Sequence, residues 1–309
     1  MVQLSVIVPV YNEEGNLLAL HQRLSDVAQA LQVTAEFILV NDGSHDQSMA
    51  LIKALAQQDS RIKYLDFSRN FGHQIAVTAG LDACNGERVV IIDADLQDPP
   101  ELITTLYRKM DEGFEVVYAQ REARKGESWL KVITAKLFYR LLSRITSIHI
   151  PVDTGDFRII SRKVVDILKH MPEQHKYLRG QIAWVGFSQT SVLYQREERK
   201  AGASGYTYRK MLRFALDGIT SFSRFPLKVA TIMGFVVSGI TFLIMLYTLY
   251  ARFITKDYQP GWASLMVTIL FIGGVQLIGI GIIGEYIGRV SDNVRGRPLY
   301  IVKESNIEK

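Results

Sequence analysis

The sequence predicts an α/β domain built on a mostly parallel sheet, followed by two helices that span a membrane. Two observations carry this. Short apolar runs alternate with helical patterns over the first 120 or so residues, the order expected of strands covered by helices on both faces. Residues 229–251 and 258–284 contain no Asp, Glu, Lys or Arg. Each is longer than the ~20 apolar residues that cross a bilayer. A chain of 309 residues holds more than one unit. The expected division is 1–225 as the α/β domain, 226–288 as the two spans and 289–309 as a basic tail.

The elements follow in order. A first strand over 4–10 runs into Pro9-Val10-Tyr11-Asn12-Glu13-Glu14, and a helix follows over 16–31. A second strand over 36–40 runs into Asn41-Asp42-Gly43-Ser44, ahead of a helix over 47–57. A third strand occupies 62–67. The fourth, over 88–92, is apolar from Val89 to Ile92, as befits a strand buried on both faces, and ends in Asp93-Ala94-Asp95-Leu96-Gln97-Asp98-Pro99-Pro100. Asp98 before two prolines reads as a helix cap. A further strand over 115–119 leads to Gln120-Arg121. Residues 127–148 place Trp129, Leu130, Ile133, Leu137, Phe138, Leu141 and Ile145 at helical spacing among Lys131, Lys136, Arg140 and Arg144. Such a basic amphipathic helix lies in a headgroup layer or packs on its own sheet. A strand near 191–194, a charged and glycine-rich loop over 195–206 and a helix from about Tyr208 complete the domain.

The two spans are joined by only residues 252–257, so they form a hairpin with both ends on one side. Arg224 and Lys228 precede it and Arg289, Arg295, Arg297 and Lys303 follow it, against Arg252 and Lys256 between the spans. The positive-inside rule then places both termini in the cytoplasm. The start of the chain has no basic region of a signal peptide, and the single Cys84 agrees with a reducing compartment. The net charge of +5 fits anionic lipid better than nucleic acid in a chain with such spans.

Open α/β sheets bind ligands beyond the carboxyl ends of their strands. Asp93 and Asp95 emerge there, with the amide oxygen of Gln97 close by in sequence, a hard-oxygen set suited to a divalent cation shared with a diphosphate. Asn12, Asp42, Gly43 and Ser44 are each ordinary turn residues. Three carboxylate-bearing strand ends on one edge nonetheless indicate a nucleotide site, with the Tyr11 ring available to stack on a base. No Gly-x-Gly-x-x-Gly and no Walker lysine is present, which argues against dinucleotide and P-loop sites.

Taken together, Val-Pro-Val-Tyr-Asn-Glu-Glu, Asn-Asp-Gly-Ser, Asp-Ala-Asp-Leu-Gln-Asp-Pro-Pro and Gly155-Asp156-Phe157-Arg158 resemble the motifs of family 2 glycosyltransferases with a GT-A fold. The likeness is strongest to polyprenyl-phosphate glycosyltransferases of the dolichol-phosphate mannose synthase type, and within them to the bactoprenol glucosyltransferases of O-antigen glucosylation. It covers nearly the whole chain. It implies that Pro9, Tyr11, Glu13, Asp42, Asp93 and Ala94 hold the nucleotide sugar, that Asp93, Asp95 and Gln97 hold Mg²⁺ or Mn²⁺, and that Asp156 is the catalytic aspartate. Arg121, Arg199 and Ser204 would bind the acceptor phosphate. Asn41 and Gly205 depart from the usual pattern, where Asp and Lys are more common.

The implied reaction is metal-dependent, inverting transfer of a hexose to undecaprenyl or another polyprenyl phosphate, at the cytoplasmic face of a bacterial inner membrane, by a homo-oligomer, a tetramer in relatives. Glucose from UDP-glucose is the first expectation; a 4-amino-4-deoxyarabinose derivative, mannose and N-acetylhexosamine are rivals. A phosphomonoester has its second pKa near about 6, so the acceptor is already ionised and Asp156 is expected to orient substrate rather than take a proton. A processive polysaccharide synthase is the runner-up, weakened by having only two spans and by Gln181-Ile-Ala-Trp184, which lacks the arginine of such enzymes. A nucleotide-sugar sensor without turnover is the alternative from another class.

Overall fold

The computed structural model describes residues 1–122, 154–195, 225–250, 253–254 and 261–307. The amphipathic helix expected over 127–148, Arg199, Ser204, the helix from Tyr208 and most of the connection between the spans lie outside the described residues.

An eight-stranded mixed sheet organises the domain, in the order β7-β5-β6-β4-β1-β2-β3-β8. β1 (Leu4–Val10), β2 (Ala35–Asn41), β3 (Ile62–Phe67) and β4 (Arg88–Ile91) are mutually parallel. β5 (Val116–Arg121) and β7 (Gln189–Tyr194) pair in parallel, and β6 (Thr154–Ser161) runs antiparallel between β5 and β4. Alternate residues divide the core into two layers, as a two-residue period requires. Leu4, Val6, Val8 and Val10 of β1 face one layer with Phe37 and Leu39, while Ile7 faces the other with Ile38 and Val40.

The first layer is closed by α1 (Leu17–Leu31), α2 (Ser48–Gln58) and α4 (Leu102–Met110), whose apolar stripes supply Leu20, Leu24, Ile52, Leu55, Ile103 and Leu106. The second is closed by α3 (His73–Ala83), α5 (Arg162–Lys169) and α6 (Leu178–Val185). Ala76 to Leu81 of α3 are all buried, so this stretch of the helix has no exposed polar stripe.

Two helices follow, α7 (Phe225–Tyr250) and α8 (Trp262–Arg295), and both are long and apolar enough to cross a membrane. They pack together, with Val237, Ile240, Thr241 and Ile244 of α7 facing Val267, Thr268, Phe271 and Ile272 of α8. With 34 residues at ~1.5 Å each, α8 is longer than a ~30 Å hydrocarbon core. Its last turns reach the α/β domain, where Asn293 Oδ1 accepts from the Gln174 amide N–H at 3.0 Å.

The expected separate tail is corrected here. After Gly296 ends α8 in the left-handed conformation, β8 (Val302–Ser305) adds antiparallel to β3 as the sheet's last strand. Tyr300 stacks on Phe67 with centroids 5.2 Å apart, and its hydroxyl donates to Asp82 at 3.0 Å. Asn306 Oδ1 accepts from the Tyr64 N–H at 2.7 Å, and its amide donates to the Ile62 carbonyl at 3.0 Å. The helical hairpin is therefore tied to the sheet through its exit.

Candidate active site

β1 has β2 on one side and β4 on the other, which makes its carboxyl end the point where strand order reverses. The ladder to β4 covers only Leu4 to Ile7, so Pro9, buried opposite Val40, costs no hydrogen bond on that side. Beyond Pro9 the loops after β1 and β2 are laced together. The Asn12 N–H donates to Ser44 Oγ at 3.0 Å, the His45 N–H to Asn12 Oδ1 at 2.8 Å and the Glu13 N–H to Ser48 Oγ at 2.9 Å. Asn12 takes a left-handed φ of 56°, which asparagine tolerates better than most residues. Tyr11 projects from this loop, 44% exposed, with its ring edge-on to His45. Glu13 accepts from the Asn16 amide at 2.6 Å.

Asp42 is buried, and its carboxylate accepts from the Phe71 N–H at 2.7 Å and the Gly72 N–H at 3.0 Å, which shapes the loop that precedes α3. Gly43 must be glycine there, because its φ is 68° and a Cβ would lie 2.5 Å from the Arg69 carbonyl carbon. Asn41 also has a local reason: its amide donates to buried Asp66 at 2.7 Å, where an aspartate would set two carboxylates against each other.

The turn after β4 is held by an Asx contact, the Gln97 N–H donating to Asp95 Oδ1 at 3.2 Å. Leu96 adopts a φ of 57° with its side chain buried, a costly conformation of the kind that persists at functional sites. Gln97 is half-buried and Ala94 packs into the core, so any contact of Ala94 with a ligand would be through its backbone. Asp98 does not cap a helix: α4 begins only at Leu102, and Asp98 turns inward, 1% exposed, to accept from the Tyr194 hydroxyl.

Asp93 Oδ1 is out of solvent contact and accepts no hydrogen bond. Burial pushes the Asp93 carboxyl up to about 6, reinforced by Asp156, Asp98 and Asp95 and opposed by His73. A carboxylate crowded by others fits a cation site. Among the described residues no three His, Cys, Asp or Glu side chains converge as a metal cage.

Asp156, on β6, sits at the centre of a clamp from two helices. Its Oδ1 accepts from Arg179 Nε of α6 at 2.7 Å, and its Oδ2 lies 3.1 Å from Gln74 Nε2 and 3.0 Å from His73 Nε2 of α3. Gln74 Oε1 also accepts from the Leu178 N–H at 3.1 Å, locking α3 to α6. Burial would raise the Asp156 carboxyl, but Arg179 and His73 hold it well below the usual carboxylate range. His73 reaches 3.7 Å from Asp93 Oδ1. Burial opposes its charge, yet Asp93 and Asp156 raise it to about 9, so it is protonated at neutral pH. Arg158, buried beside them, donates to the Gly155 carbonyl at 2.9 Å. Arg121 ends β5 with its Nε 3.3 Å from the Tyr194 hydroxyl. The structure thus brings together Asp93, Asp95, Asp156 and Arg121. His73, Gln74 and Arg179 were not anticipated; the one available signal was a polar stretch, Arg69-Asn70 and His73-Gln74, after the third parallel strand.

This edge carries carboxylates beside guanidinium groups, the chemistry of a group-transfer site for phosphorylated substrates. The profile of Glycosyl transferase family 2 matches residues 5–168, and that of the GtrB C-terminal hairpin matches residues 225–290. The chain is 50% identical over 304 residues to the uncharacterized glycosyltransferase YkcC of Bacillus subtilis (strain 168), covering 98% of this chain and 94% of that protein. It is 42% identical over 304 residues to the SfII prophage-derived bactoprenol glucosyl transferase of Shigella flexneri, covering 98% of each. It is 40% identical over 301 residues to the prophage bactoprenol glucosyl transferase homolog of Escherichia coli (strain K12), covering 97% of this chain and 98% of that protein. The chain belongs to glycosyl transferase family 2. It is a glycosyltransferase with a GT-A domain and a membrane-associated C-terminal hairpin.

Proposed function

We propose that the protein transfers glucose from UDP-glucose to a polyprenyl phosphate, such as undecaprenyl phosphate, at the cytoplasmic face of a membrane. The observation that carries this is the union of a carboxylate and guanidinium pocket around Asp156 with a hairpin whose exit strand, β8, is part of the same sheet. An isoprenoid chain costs about 0.8 kcal/mol for each CH₂ taken out of lipid, so the site must be held at the bilayer. Relatives named as bactoprenol glucosyl transferases, similar over nearly their full length, support the acceptor and the sugar.

In this reading an acceptor phosphate oxygen attacks the anomeric carbon, the bond from that carbon to the nucleoside diphosphate breaks, and the electron pair leaves with the diphosphate. The configuration inverts. Tyr11 and Glu13 lie where the nucleoside enters, Asp93 and Asp95 would hold Mg²⁺ or Mn²⁺ against the diphosphate, and Arg121, with Arg199 and Ser204, receives the acceptor phosphate. The cation would supply neutralisation of the leaving group. Asp156 acts as an ionised, fixed carboxylate that orients donor or acceptor and stabilises positive charge developing on the sugar. It is a poor base, since Arg179, Gln74 and His73 already occupy its oxygens. Both termini lie in the cytoplasm, and the membrane-bound assembly is a homo-oligomer.

The test of the donor is a panel of labelled UDP- and GDP-sugars offered to detergent-purified protein with undecaprenyl phosphate and either cation. Label entering the lipid phase from UDP-glucose alone is the expected result. Transfer only from another sugar would replace glucose and keep the chemistry.

A further inference from the structure

Arg121 and Tyr194 are register partners on the parallel strands β5 and β7. The Arg121 guanidinium donates from Nε to the Tyr194 hydroxyl at 3.3 Å, and its Nη2 lies 4.0 Å from Asp98 Oδ2. The same hydroxyl donates onward to Asp98 Oδ1. Tyr194 is 6% exposed and Asp98 1%, whereas the Arg121 side chain keeps 35% of its surface open. Phe157 fixes the tyrosine ring edge-on, with centroids 6.3 Å apart.

A second contact sets the position of the guanidinium from the other side. A Cβ on Gly155 would stand 2.9 Å from Arg121 Nη2, so the residue beside Asp156 is the one that leaves space for this arginine. Asp156 and Asp98 thereby face different arginines, Arg179 at 2.7 Å and Arg158 at 4.0 Å for Asp156, and Arg121 at 4.0 Å for Asp98. Asp98 holds Arg121 on its side of Gly155.

We propose that Asp98 and Tyr194 are positioning residues that present Arg121 to the acceptor phosphate, and that Gly155 is their steric counterpart. The inference rests on the reading of Arg121 as an acceptor-phosphate ligand. It assigns the third aspartate of Asp-Ala-Asp-Leu-Gln-Asp a task separate from that of the first two. An arginine recognises phosphate through a planar fork whose orientation decides how many hydrogen bonds it can make, so a misaimed guanidinium loses affinity without losing charge.

The experiment measures KM for undecaprenyl phosphate and for the nucleotide sugar in Tyr194→Phe, Gly155→Ala, Arg121→Ala and the double variant Arg121→Ala/Tyr194→Phe, all as full chains. Tyr194→Phe should raise the acceptor KM about ten-fold, the size of one hydrogen bond to a charged group, and leave the donor KM in place. Gly155→Ala should do the same. In the Arg121→Ala background Tyr194→Phe should add nothing. If Arg121→Ala raises the acceptor KM but neither Tyr194→Phe nor Gly155→Ala does, the positioning role is overturned while Arg121 keeps its place. If Arg121→Ala leaves the acceptor KM unchanged, the reading of Arg121 falls and the inference with it. Should Tyr194→Phe fail to fold, Gly155→Ala carries the same comparison.

Discussion

His73 on α3 and Asp156 on β6, 83 positions apart in the chain, meet at 3.0 Å across the end of the sheet. The same imidazole nitrogen lies 3.7 Å from Asp93 Oδ1. One protonated ring therefore sits between the carboxylate proposed to act on the sugar and the one proposed to face the metal.

Replacing His73 by Ala should lower kcat for transfer about ten- to hundredfold, the loss of one charge-assisted hydrogen bond at the reacting centre. Thermal unfolding at neutral pH should come at lower temperature as well, since a His73 pKa raised to about 9 means that the protonated ring stabilises the folded state. Steady-state transfer assays with circular dichroism melts check both halves, and unchanged kcat would remove His73 from the mechanism.

Arg179→Lys removes the 2.7 Å contact from Nε to Asp156 while keeping a positive charge nearby. The folded-state pKa of Asp156 is depressed, so its contribution to stability is present above the ordinary carboxylate range and is lost as pH falls through the depressed value. Weakening the clamp raises that value. The acid limb of the activity profile should move to higher pH in Arg179→Lys, and a pH–rate profile that superposes on that of the parent protein would contradict the clamp.

Asp93→Asn should abolish metal-dependent binding of UDP, measured by calorimetry with Mn²⁺. In metal-free buffer at neutral pH it should raise the unfolding temperature. The sign follows from the upward shift of Asp93 to about 6: its charged form is disfavoured in the folded state, so the cost is present above that pH and disappears with the charge. A fall in unfolding temperature, or metal-dependent UDP binding at parental strength, would count against the carboxylate as a strained cation ligand.

The exit strand offers a separate test. Tyr300→Ala deletes the stack on Phe67 and the hydroxyl donation to Asp82, and should cost about 1–3 kcal/mol of α/β-domain stability in denaturant unfolding. Asn306→Ala should behave similarly, because it leaves the Tyr64 N–H and the Ile62 carbonyl without its side chain. No loss in either would show that β8 is an accessory to the sheet.

Much of the parallel half of the fold is legible in the residues themselves. Expected strands over 4–10 and 62–67 coincide with β1 and β3, because each is a short, mainly apolar segment with β-branched or aromatic residues. α3 is hidden by its own burial: with Ala76 to Leu81 all inside, no polar stripe marks it as a helix. β8 is hidden for the opposite reason, since all four of its residues are exposed and only pairing with β3 makes it a strand. The site divides in the same way. Asp93 and Asp95 stand in one short motif, whereas the partners of Asp156 come from α3 and α6, and local patterns do not record such meetings. Asp98 before Pro99 has the local look of a cap, and its true partner, Tyr194, is 96 positions away.

The transfer of sugar to a lipid phosphate proposed for the pocket around Asp156 can be followed by incubating purified protein with labelled UDP-glucose, undecaprenyl phosphate and Mg²⁺ or Mn²⁺, with Asp156→Asn in parallel, and tracing label into the organic phase. Cation-dependent labelling of the lipid, lost in Asp156→Asn while UDP binding persists, is the expected result. Lipid labelling undiminished in Asp156→Asn, or none from any nucleotide sugar with protein that binds UDP normally, would contradict it.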